Sequence, residues 1–189
     1  SIMDDKSFPY VFNNDEINDF INEAYLESSK WAKFIRKTDF NDVNFLGRIN
    51  LSNVSDYEFS KRILKINAIF DNNGNEIPVV DYRDMPSNWR TVTGSVVEKI
   101  VVGQNNYGLS VYPKVSSGYL VMNIEYLPEV LIDDTDIPLI PEQYQPKLLD
   151  YVLYKGYTKN DSDKRNLDKA DKHLEKFIKN FGSSYDTIN

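Results

Sequence analysis

The chain of 189 residues has no cysteine, which excludes disulfides, zinc ribbons and thiol nucleophiles. It has one histidine, His173, so most metal-binding and acid–base constellations lack their usual parts. A reducing compartment is compatible with the missing thiols but is not required by them. No apolar run approaches the roughly 20 residues needed to span a bilayer, and the first residues lack the basic-then-apolar layout of a secretory signal. Positive charge is also short: 22 Lys and Arg stand against 29 Asp and Glu, a net charge of −7. That balance argues against a phosphate-gripping surface as the main business of the chain. Together these absences predict a soluble protein that stays in the cell that makes it until it is assembled or released.

The 41% hydrophobic and 13% aromatic content is enough to bury a core, as one domain or as two small subdomains sharing an interface. In "NNDEINDFINEAYLESSKWAKF", Asn13 stands three residues before Glu16, the spacing at which the two side chains satisfy the orphan amides of a first helical turn. A helix is predicted from near Asn14. Ile17, Phe20, Ile21, Ala24, Ser28, Trp31, Ala32 and Ile35 recur at three- and four-residue steps, and Glu16, Asn18, Asp19, Glu27, Lys30 and Lys33 lie off that stripe. The stripe needs a cover that is not its neighbour in sequence.

Residues 37–60 are rich in Asn and Asp and read as loop, with a short strand near 45–51. From Arg62 to about Tyr126 the period becomes two. Leu64, Ile66, Ala68 and Phe70 alternate with their neighbours, and "DNNGNE" offers Asn73-Gly74 for a tight turn before "IPVVDY", which predicts a β-hairpin. "SVVEKIVV", a "GQNN" turn, the alternation of Tyr107, Leu109 and Val111, then "PKVSSG" and Leu120, Met122, Ile124 and Tyr126 predict further antiparallel strands. The segment "RDMPSNWRTVTG" reads as loop, with Trp89 either a core plug or an exposed anchor.

The last third is helical again. Pro141 suits a first helical position, Tyr144, Leu148, Leu149, Val152 and Leu153 share a broad face, and Pro146 falls early enough to be tolerated. After the polar "TKNDSDKRN", a second stripe runs through Leu167, Ala170, Leu174, Phe177, Ile178 and Phe181 to Gly182 as a C-cap. The fold class expected is α+β. The N-terminal helix and a C-terminal helical hairpin, residues 1–60 and 136–189, form a helical subdomain, and residues 61–135 form an inserted antiparallel β-sheet or small sandwich.

Chemistry is scarce. His173 borders a helical stripe without a second His or a nucleophile nearby. "DDTD" at 133–136 and "NDSD" at 160–163 lack the twelve-residue layout and closing Glu of a calcium loop, and read as solvated turns and caps. "GQNNYG" is not a phosphate cradle. Paired carboxylates can be drawn almost anywhere in so acidic a chain, and most of the thirteen tyrosines lie on packing stripes. No catalytic residue, metal site or cofactor is expected.

The order of elements is more informative. The acidic turn at Asp4-Asp5, the capped helix carrying Asn22-Glu23-Ala24, the Pro-led "IPEQYQPKLLDYVLYKGY" and the final helix through "LDKADKHLEKF" resemble the two ends of the head-to-tail adaptor proteins of short-tailed bacteriophages, the tail tubular protein A type among them. Such proteins carry a helix ahead of the acidic turn, so a start at Ser1 implies a leading helix that is trimmed or not included. The resemblance implies a virion structural protein at the head–tail junction, made in the host cytoplasm. It further implies a ring of subunits, typically twelve, below the portal protein, with the β-part reaching toward the next tail or nozzle protein and DNA passing through at ejection without specific binding. A ring of subunits each carrying −7 would repel phosphate and let DNA slide.

Partner contacts are expected from Tyr112 and Tyr119, on the polar side of their strands, and from Phe181 and Tyr185, at and beyond the end of the last helix, where the polar tail either docks on a neighbour or frays. The rival is a carbohydrate- or receptor-binding module of a phage or bacterial surface assembly, using the Tyr-rich β-region as its platform and reporting sugar through Trp89 or Trp31. A hydrolase, which needs a pocket with a perturbed carboxylate, ranks below both.

Overall fold

A computed structural model of the chain describes residues 12–32, 35–133, 135–159 and 166–182. The chain forms two units, residues 1–35 with 127–189, and residues 36–126.

The first unit is helical, built from α1 (Asn14–Ala32), α2 (Leu148–Thr158) and α3 (Leu167–Phe181). The expected capping box starts α1: Asn13 Oδ1 accepts from the Glu16 amide at 2.8 Å, and Glu16 Oε2 accepts from the Asn13 amide at 3.2 Å. Asn166 caps α3 by accepting from the Lys169 amide, and Gly182, at φ 86°, ends it by donating to the Ile178 carbonyl. Ala24, Tyr25, Ile140, Leu148, Tyr151, Val152, Phe177 and Phe181 make one core, so the α1 stripe is covered by the two C-terminal helices. Two expectations shift. The Pro141 segment enters as a 3-10 turn over Glu142–Lys147 that contains Pro146, and α2 begins only at Leu148. Leu149 stays 40% exposed, because it points away from the face carrying Leu148, Tyr151 and Val152.

The second unit holds β1 (Arg36–Lys37), β2 (Arg48–Asn50), β3 (Asp56–Glu58), β4 (Ile63–Phe70), β5 (Val79–Asp81), β6 (Lys99–Val102), β7 (Gly108–Tyr112) and β8 (Tyr119–Tyr126). One sheet is organised on β8, which pairs antiparallel with β4, β1 and β2. The other runs β3-β7-β6-β5. Ile49, Ile63, Ile69 and Met122 of the first meet Ile100, Leu109 and Val111 of the second in a shared core.

Residues 36–60, grouped with the helices in the sequence reading, supply β1, β2 and β3 to these sheets, and the chain leaves the β unit at Tyr126. Their strands are two or three residues long, too short for an alternating pattern to register. The predicted hairpin is only a stub. Phe70 bridges Glu76, and Gly74 at φ 84° closes the turn. The chain then crosses to the second sheet, where β5 pairs parallel with β6, so the sheets are not wholly antiparallel. β8 likewise leaves its sequence neighbour β7 for the other sheet. Val121 and Glu125, on its expected polar side, are 0% and 2% exposed.

Candidate functional site

The triplet Asn22-Glu23-Ala24 lies in the middle of α1, and each residue has a separate task. Ala24 is fully buried, a small residue where the helices approach. Glu23 accepts from the Tyr151 hydroxyl at 2.9 Å and the Lys155 ammonium at 3.0 Å, both on α2. Burial, with Glu23 as acceptor, pushes the Tyr151 hydroxyl well above its usual pKa, because a phenolate there would face a carboxylate. Asn22 reaches the other way. Its Nδ2 donates to the Leu131 carbonyl at 2.9 Å, and its Oδ1 accepts from the Leu131 amide at 2.7 Å, so one amide side chain acts as a strand edge for one residue.

Leu131 belongs to a strap, described over residues 127–133 and 135–141, that runs along the helical unit without regular structure. Besides Asn22, it is held by the Tyr25 hydroxyl, which accepts from the Leu139 amide at 2.7 Å, and by Gln145 Nε2, which donates to the Pro138 and Ile140 carbonyls. Asp136 closes a turn inside it, accepting from the Asp133 and Ile132 amides; these donors hold its carboxyl below the usual range. Ile140 is 2% exposed and anchors the strap in the core. Ile132, Ile137 and Leu139 are 82%, 76% and 60% exposed. A backbone tied at both ends therefore presents large apolar side chains to solvent, the mark of an interaction surface more than of a scattered exposed residue.

A second polar cluster lies in the β unit. Asp56 of β3 accepts from Ser110, from Ser55 and from Arg90 at 3.2 Å, and Arg90 also donates to Gln104. Burial pushes the Asp56 carboxyl up, and the three donors outweigh it, leaving its pKa lowered. A carboxylate so fully engaged is a structural tie between β3, β7 and the loops, with no free proton acceptor.

The residues expected at contacts lie on different elements. Tyr112 and Tyr119 are half-buried, at the end of β7 and the start of β8, and the Arg48 guanidinium lies 3.5 Å from the centre of the Tyr119 ring. Phe181 is 2% exposed and packs on Phe177 and Tyr144, so its ring belongs to the core of its own unit. Tyr185 lies outside the described residues, as does the "NDSD" segment. His173 bonds Asp150 at 2.9 Å and stacks on Tyr157. Trp89 is buried, and Trp31 packs edge-on to Phe177.

Among the described residues no group of three or more carboxylates or His could hold a metal ion, and no helix is long and apolar enough to cross a membrane. The strap was missed in the sequence because its apolar residues follow no helical or strand period. The available signal was their density beside three acidic positions, "VLIDDTDIPLI". Compared with known families, the sequence model described as SU10 adaptor protein matches residues 2–187 of the chain. A comparison with curated proteins finds no match.

Proposed function

The chain belongs to the SU10 adaptor protein family, and on that premise we propose that it is a structural adaptor of a bacteriophage virion, joining protein components and catalysing nothing. The observation that carries this reading is the extent of the match, residues 2–187, which takes in both the helical and the β unit. Kinship with the tail tubular protein A type is the finer form of the proposal, and it rests on the motif layout: the capped helix with Asn22-Glu23-Ala24 and the Pro-led C-terminal hairpin.

In this reading the subunits form a ring at the head–tail junction, with the portal protein on one side and a tail or nozzle protein on the other. Twelve copies is the working number. DNA passes through without being gripped, in keeping with a net charge of −7 per subunit. Tyr112, Tyr119 and the tail carrying Tyr185 are the partner-facing residues proposed alongside the strap. A chain assembled on the portal belongs to the virion after its synthesis in the host cytoplasm.

Native mass spectrometry of the full chain, alone and mixed with the portal protein of the same phage, tests this. Subunits that assemble on the portal with a defined stoichiometry support the adaptor. A chain that stays monomeric and ignores the portal under all conditions overturns it.

A further inference from the structure

The outer surface of α3 carries a row of lysines. Lys169, Lys172, Lys176 and Lys179 are all exposed and at helical spacing form one row, about 15 Å long at 1.5 Å per residue. Asp168 and Asp171 fall on the adjoining flank, and Glu175 lines the same shallow hollow as the four lysines. Lys169 lies over the Tyr157 ring at 5.3 Å. Lys172, Lys176 and Lys179 have no ion-pair partner among the described residues.

The complementary surface is on the same unit. Between α1 and the strap lies a hollow of about 360 Å³ with an apolar wall of Ile21, Leu131 and Ile132 and a polar rim of Asn18, Asp133 and Asp136. That combination suits a lysine side chain, whose four-carbon stem buries against apolar surface while its ammonium reaches carboxylates. The strap is tied down by Asn22, Tyr25 and Gln145, so little of it needs ordering on contact.

We infer that the strap of one copy docks on the lysine row of α3 in the next copy, with Ile132 and Ile137 covered by lysine stems and Asp133 facing an ammonium. The contact is heterologous, because the two halves are different surfaces of the same chain, and a heterologous contact propagates to a closed ring or an open filament. The inference rests on the ring reading above and names the surfaces that would make it. It also removes the most basic feature of α3 from the path of DNA.

Two variants test it in the full chain: Ile132→Ser with Ile137→Ser on the strap, and Lys172→Glu with Lys176→Glu on α3. All four positions are outside the cores, and circular dichroism should match the parent. Self-association read by analytical ultracentrifugation, with the portal protein present if it is needed for assembly, should weaken at least about tenfold in each variant. Mixing the two variants should restore one intact contact per pair and give a 1:1 dimer that goes no further.

Assembly of both variants at parental strength overturns the inference and leaves the ring reading standing. A parent that never self-associates, with or without the portal protein, overturns the ring reading and this inference with it. Loss of duplex DNA binding in the Lys→Glu variant, with assembly unchanged, would assign the row to phosphate instead.

Discussion

Glu23 of α1 and Tyr151 of α2 meet in a 2.9 Å hydrogen bond across 128 residues of sequence. The Tyr151 residue is 8% exposed, whereas the Glu23 side chain is 40% exposed, so the two ends of the bond are not equivalent. Removing the acceptor strands a buried hydroxyl, and removing the hydroxyl leaves a carboxylate that water can reach. Glu23→Ala should therefore destabilise the helical unit by about 1–3 kcal/mol and Tyr151→Phe by about 0.5–1.5 kcal/mol, an order that urea denaturation checks.

The same pair makes stability fall in alkali. The Tyr151 proton is held more tightly in the folded chain than at the ordinary phenol value of 10.0. Its contribution is thus fully present below pH 10 and is lost as the pH rises above it, since only the unfolded chain releases the proton easily. Tyr151→Phe should flatten the alkaline limb of a stability-against-pH curve, and an unchanged limb would assign that loss to other tyrosines.

Asn22→Ala should release the strap without unfolding α1. Hydrogen exchange at the Leu131 amide, which now donates to Asn22, should accelerate about tenfold or more, the equivalent of one lost hydrogen bond. Exchange at residues 24–29 of α1 should be unchanged.

Asn13→Ala should cost the stability that a lost N-cap gives, about 1 kcal/mol, and so lower the melting temperature, because Asn13 Oδ1 no longer accepts from the Glu16 amide. Asn13→Ser should recover most of it. Equal melting of Asn13→Ala and the parent would show that α1 does not depend on its first turn.

In the β unit, Arg83 donates to the Asp81 carboxylate from its Nε at 2.8 Å, and from its backbone amide at 2.9 Å, and these bonds hold Asp81 at a pKa of about 2. A carboxyl depressed in the folded chain contributes stability above its ordinary 3.8, and that contribution is lost as pH falls through about 2. Carbon-detected NMR titration should give that midpoint, and Arg83→Ala should move it back toward 3.8. A midpoint already near 3.8 in the parent would contradict the geometry.

Local rules were legible wherever the deciding contacts lie within four residues. The Asn13 and Glu16 box, the Gly182 end and the positive-φ turn at Gly74 were all readable as spacing. Partner choice was not. The 63–70 strand reads as half of a hairpin, yet it pairs with β8, some fifty residues on, and the strand after Gly74 joins the other sheet in parallel. Alternation tells a strand from a helix, but the hydrogen-bonding edge looks alike to every candidate partner. The buried Glu125 shows the same limit. Its place on the expected polar side of β8 reads as solvent-facing until Arg36, 89 residues away, supplies a 2.6 Å ion pair.

By itself, the sequence determined the α+β class, the three helices, the capping box of α1 and the Gly182 end of α3, the lack of thiol chemistry and the acidic balance, because each follows from composition or from interactions between near neighbours. Tertiary structure alone decided which strands share a sheet, that residues 36–60 belong with them, that Phe181 is core, and that Asn22 ties down a strap bearing exposed Ile132, Ile137 and Leu139. Those outcomes depend on groups that are distant in sequence, such as Arg36 and Glu125, 89 residues apart, and Asn22 and Leu131, 109 apart, and the free energy of such contacts exists only once the chain has closed around them.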